Sequence, residues 1–145
     1  MATSTSLNLQ AVLKTAAVRA GFGSPARVVS GLSPAAKALY VAFAAHSAPK
    51  DVVLFVTPTD RDLDEAVTDV AFFLAALEGL SESAASRAVL PFPSHEVDPY
   101  RGMAPHFGVL CARARALNGL ARGTARVVIA SAAALQPRIS APDRL

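Results

Sequence analysis

Val28-Val29-Ser30-Gly31-Leu32-Ser33-Pro34-Ala35-Ala36-Lys37-Ala38-Leu39-Tyr40 reads as a short strand, a turn and the opening of a helix. A phosphate-binding loop has the form G-x-x-x-x-G-K-[ST] in that setting. The same frame here gives Gly31, four residues, Ala36, Lys37 and Ala38. The first glycine and the lysine are in place. The second glycine and the hydroxyl residue are not.

Each loss has a chemical meaning. Such a loop points backbone N–H groups at phosphate oxygens, aided by the helix N-terminus. Pro34 carries no N–H. Ala36 has a Cβ where glycine would allow close approach. Ala38 has no hydroxyl to hold Mg²⁺. Two readings follow from the pattern: a nucleotide site that keeps its shape without its chemistry, or a plain strand-turn-helix with an incidental Gly31 and Lys37.

The rest of the chain sets this stretch in an alternating pattern. Leu7 to Ala20 has apolar residues at helical spacing and stops at Gly21 and Gly23. It predicts an N-terminal helix or leader over residues 1–24, ahead of an α/β domain over 25–145. Pro34 suits the first turn of a helix running to about Ala45. Val52 to Val56 is a continuous apolar run, the mark of a strand buried on both faces. Thr59 is the expected cap of the next helix, which starts with Asp60, Asp62, Asp64 and Glu65 and continues through Leu77. Residues 79–87 read as a polar loop. Ala88 to Leu90 is a short strand leading into a segment with four prolines, Pro91 to His106. A helix follows from about His106 to Leu120, closed by Gly123. Val127 to Ala130 is a further buried strand, and Ser131 to Leu135 begins a short helix. The order predicts an open, mostly parallel sheet with helices on both faces, a three-layer α/β/α half-domain.

Composition bounds the classes. The chain has 145 residues, 52% of them apolar, and 31 are alanine. No uncharged run reaches the ~18 residues of a membrane span. Residues 1–6 are small and polar, unlike a signal peptide. The single Cys111 excludes an internal disulfide and fits a reducing cytoplasm. Net charge is +3, but residues 101–145 hold seven arginines against one acid, Asp143. That asymmetry allows weak, non-specific attraction to DNA, or marks a solvated face.

Catalytic and metal signals are thin. Ser94-His95-Glu96 resembles a catalytic cluster on paper, but neighbours on an extended chain point in opposite directions. His95, His106 and Asp98 lack the spacing of a metal site. No catalytic residue, metal ligand or cofactor is expected.

The run L-P-F-P-S-H-E-V-D-P-Y-R-G-M-A-P-H-F-G-V-L-C-A-R-A-R-A-L, Leu90 to Leu117, resembles the N-terminal module of the bacterial transcription-repair coupling factors (Mfd). Arg126 to Arg138, R-V-V-I-A-S-A-A-A-L-Q-P-R, and Val53 to Asp60, V-L-F-V-T-P-T-D, extend the resemblance. That module is similar to the first domain of UvrB but has lost the working phosphate loop, which favours a remnant of a nucleotide site at Gly31 and Lys37. The resemblance implies a non-catalytic scaffold in nucleotide excision repair. Release of stalled RNA polymerase, ATP-driven translocation and the main UvrA contact would lie in domains beyond Leu145, where the chain looks cut. Tyr100, His106 and Arg113 match the family pattern P-Y…P-H…R. They are expected to fix the proline-rich loop onto the following helix, with Arg113 reaching loop carbonyls or Asp98, or else to contact nucleic acid or a partner. The alternatives are an active nucleotide-binding or DNA-translocating half-domain, and a free-standing α/β binding protein.

Overall fold

The computed structural model describes residues 8–23, 28–95, 97 and 103–137. Helix α1 (Leu9–Arg19) is capped by Asn8, whose side chain accepts from the Ala11 amide at 3.3 Å. Helix α2 (Pro34–Ser47) is capped by Ser33 and carries Pro34 in its first turn, where the missing N–H costs nothing. Strand β1 (Val53–Thr57), helix α3 (Arg61–Glu78), helix α4 (Glu82–Ala88), strand β2 (Val89–Phe92), helix α5 (Phe107–Ala121) and strand β3 (Val127–Ser131) follow, with a 3₁₀ turn at Ala133–Leu135.

The three strands form one parallel sheet in the order β1-β3-β2. Alternation along the strands sends successive side chains to opposite faces. Val89, Val127 and Ile129 meet Val41 and Phe43 of α2 and Leu63, Val70, Leu74 and Leu77 of α3 on one face. Ala17 of α1 is fully buried in that same cluster, and Gln10 donates to the Leu77 carbonyl at 2.6 Å. The helix expected as a leader therefore shares the core. Leu90, Phe92, Val128 and Ala130 face the other way, against Ala116 and Leu117 of α5. The result is three layers, α/β/α. Gly119 lets α5 sit close: a Cβ there would lie 2.5 Å from Leu90 Cδ1.

Four expectations are corrected. Val28 and Val29 are not a strand; they are exposed, and no sheet partner receives them. β-Propensity expresses packing on a pleated surface, and two valines without a ladder have none. Strand β1 is not buried on both faces. It lies at one edge of the sheet while α5 packs over β2 at the other, so Leu54 and Val56 stay 55% and 43% exposed. Only the central strand β3 is buried at all five residues. The polar loop of 79–87 contains α4, started by the Ser81 hydroxyl, which accepts from the Ala84 amide at 3.3 Å. Finally, Asp60 rather than Thr59 is the residue before α3. The Thr59 hydroxyl instead donates to the Asp62 carboxylate at 2.7 Å.

Candidate functional site

In an open parallel sheet, the loops leaving the carboxyl ends of the strands meet on one side, where α/β folds bind ligands. Here those ends are Thr57, Phe92 and Ser131. Thr57 and Ser131 are buried hydroxyls, and both are partnered. Thr57 Oγ1 donates to the Thr59 carbonyl at 3.0 Å, and Ser131 Oγ accepts from the Ala134 amide at 3.2 Å.

Asp60 gathers the three loops. One carboxylate oxygen accepts the Ser94 amide at 2.9 Å and the other accepts the Ser94 hydroxyl at 2.5 Å. Burial raises the Asp60 pKa, but the Ser94 hydroxyl and amide, the Ser131 hydroxyl and the charge of Arg113 together outweigh it. The net effect holds the carboxyl below its ordinary 3.8. A carboxylate made more acidic is a weaker base, and it is a poor activator of the Ser94 hydroxyl it holds.

Arg113 rises from α5 beneath the same loops and is only 7% exposed. Its Nη1 donates to the Pro93 carbonyl at 2.7 Å and to the Ala134 carbonyl at 3.4 Å. The guanidinium lies 3.9 Å from the centre of the Phe92 ring, a cation–π contact. Burial pulls its pKa down, and Asp60 opposes that. Arg113 thus meets loop carbonyls from two segments; Asp98, like Tyr100, lies outside the described residues. His106 is the N-cap of α5, its Nδ1 accepting from the Gly108 amide at 3.2 Å. That bond assigns the ring proton to Nε2.

The Gly31-to-Lys37 frame lies in the turn before α2 and on its first turn. Gly31 adopts φ +77°, the left-handed turn that glycine permits. Ser33 accepts the Ala36 amide, which removes another donor from the helix end. Lys37 is exposed and lines a cleft of about 310 Å³ between α2, β1 and α3. Asp62, Glu65 and Asp69 line the same cleft. Three carboxylates against one ammonium disfavour a polyphosphate there.

The opposite, amino end of the sheet holds a second polar cluster that sequence reasoning missed. Arg126, just before β3, donates to the Ala45 carbonyl at 2.7 Å and to Glu78 at 3.1 and 3.4 Å. His46 approaches Glu78 at 3.4 Å. The cluster ties the ends of α2 and α3 to the sheet. Asp60 was missed in the same way: it reads as one of four acids opening a helix, and its partner is 34 residues away. Among the described residues, no group of three or more His, Cys, Asp or Glu side chains is placed to hold a metal ion. No helix among the described residues is long and apolar enough to cross a membrane. No family model, curated protein or solved structure matches the chain.

Proposed function

We propose that the chain is a non-catalytic scaffold module of a transcription-repair coupling factor, a nucleotide-site fold that has kept its architecture and lost its chemistry. The family comes from the resemblance carried by Leu90–Leu117 and Arg126–Arg138. The observation that carries the non-catalytic reading is the engagement of the polar groups described at the carboxyl end of the sheet. Asp60 accepts from Ser94 and Ser131 there, and Arg113 is committed to the Pro93 and Ala134 carbonyls. The adjoining cleft sets Asp62, Glu65 and Asp69 around Lys37.

In this reading the module works through protein contacts and through its place ahead of other domains, in the cytoplasm. Polymerase release, translocation and UvrA recruitment belong to the remainder of the coupling factor. An active half-domain would need the loop amide missing at Pro34, the glycine replaced by Ala36 and the Mg²⁺ hydroxyl missing at Ala38.

Sequencing the reading frame onward from Leu145 tests the family assignment. A continuing frame that encodes an ATPase motor with intact phosphate-loop and acidic motifs is the expected result. A frame that continues into unrelated sequence, or stops, overturns it.

A further inference from the structure

We propose that the groove between α4 and α5 binds the phosphate backbone of nucleic acid through Arg87, Arg115 and Arg122. These three arginines line one groove of about 470 Å³ together with Asn118 and Thr124, and no carboxylate lines it. All three are exposed. None has a hydrogen-bond or ion-pair partner among the described residues, whereas Arg113 bonds the Pro93 and Ala134 carbonyls and Arg126 bonds Glu78 and the Ala45 carbonyl. The site stands whether or not the chain belongs to a coupling factor.

The fold assembles the groove from parts that look dispersed in the sequence. Arg115 on α5 and Arg122, its C-cap, are seven residues apart, so they project on the same side, about 10.5 Å apart along the axis. Arg87 comes from the last turn of α4, and packing of β2 beneath α5 brings it alongside. Guanidinium groups present forked donors that match phosphate oxygens. The Asn118 amide adds a neutral donor.

The walls decide between kinds of anion. Ala84, Ala88 and Gly119 are small, and Leu90 is buried, so the groove has no aromatic or large apolar anchor. A protein partner gains most of its affinity from aromatic or arginine anchors that are desolvated in pockets, and these arginines are exposed. Single-strand binders stack bases on aromatic rings, and none is here. What remains is recognition of backbone charge without sequence preference.

Three contacts predict a slope of log K against log salt of about −2.7 for duplex DNA, or about a 40-fold loss of affinity between 50 and 200 mM salt. Anisotropy titration of a labelled 20-base-pair duplex against the full chain reads this slope. The triple variant R87Q/R115Q/R122Q should bring it below about −1 in magnitude, with its thermal melt unchanged. Single variants should each lower it by about 0.9, which keeps the test open if the triple variant misfolds. The triple Arg→Lys variant should hold the slope, and Arg19→Gln, on α1, should leave it alone. A slope unchanged by the triple Gln variant overturns the proposal. So does an equal loss from Arg19→Gln, or tighter binding of poly-glutamate than of duplex at equal salt.

Discussion

The carboxylate of Asp60 holds Ser94 by both its amide and its hydroxyl, at 2.9 and 2.5 Å. It thereby locks the exit of β2 onto the exit of β1. The two strands are not neighbours in the sheet, because β3 lies between them. The bond therefore bridges across the top of the central strand, where Ser131 joins it.

That geometry makes stability depend on pH in the acid range. The folded pKa of Asp60 lies below its ordinary 3.8, so the native state binds fewer protons than the unfolded chain. The contribution is complete above about pH 5 and is lost as pH falls through 3.8 toward the folded value. Asp60→Asn should cost about 1 kcal/mol of stability at neutral pH, read as a lower urea midpoint, because its charge-assisted bonds are partly exposed to solvent. Its stability should also fall less steeply between pH 5 and pH 2 than that of the unaltered chain. Urea titrations at several pH values measure both. Parallel curves for the two proteins would remove Asp60 from the account.

Arg113 should not tolerate lysine. A lysine keeps the charge but loses the flat face on Phe92, and its shorter side chain does not carry a nitrogen out to where Nη1 bonds the Pro93 and Ala134 carbonyls. Arg113→Lys should cost about 1–3 kcal/mol, the range for an incompletely replaced buried donor. The expected signature is a lower urea midpoint with an unchanged slope. A midpoint equal to that of the unaltered chain would mean the guanidinium shape is irrelevant.

Much of the layer architecture is legible in the amino-acid sequence. The apolar run of β3 and the periodicity of α2, α3 and α5 each carry their own signal, because burial dictates those patterns directly. Features set by neighbours are not legible in the same way. Val52–Val56 reads as a fully buried strand, yet its position at the edge leaves Leu54 and Val56 half-covered. The seven residues of α4 are too few to show a period. The Asp60–Ser94 bond joins residues that no local rule connects. Arg115 and Arg122 align on a helical wheel, but Arg87 joins them only through the packing of α4. The phosphate-loop frame is legible as a frame, while the acidic wall opposite Lys37 comes from α3 and depends on the fold.

The half-covered face of β1 should make the chain self-associate. Val53 donates to the Arg126 carbonyl on the β3 side, so ladder alternation turns the N–H and C=O groups of Leu54 and Val56 to the open edge. An apolar open edge invites pairing, and lysine on such an edge suppresses it. Leu54→Lys with Val56→Lys should shift sedimentation or light scattering toward monomer while leaving the far-ultraviolet circular dichroism intact. Concentration-independent monomer behaviour of the unaltered chain would contradict this.

The frame from Gly31 to Ala38 should not bind nucleotide. Pro34, Ala36 and Ala38 remove the loop amide, the close approach and the Mg²⁺ hydroxyl, and Ser33 occupies the Ala36 amide. Asp62, Glu65 and Asp69 then set negative charge beside Lys37. Calorimetric titration of the full chain with ATP and Mg²⁺ tests this most directly. The account predicts no saturable heat at ligand concentrations up to about 1 mM, where binding would be worth roughly −4.1 kcal/mol. A one-site isotherm with a dissociation constant below about 100 μM, roughly −5.5 kcal/mol, that Lys37→Ala abolishes would contradict it.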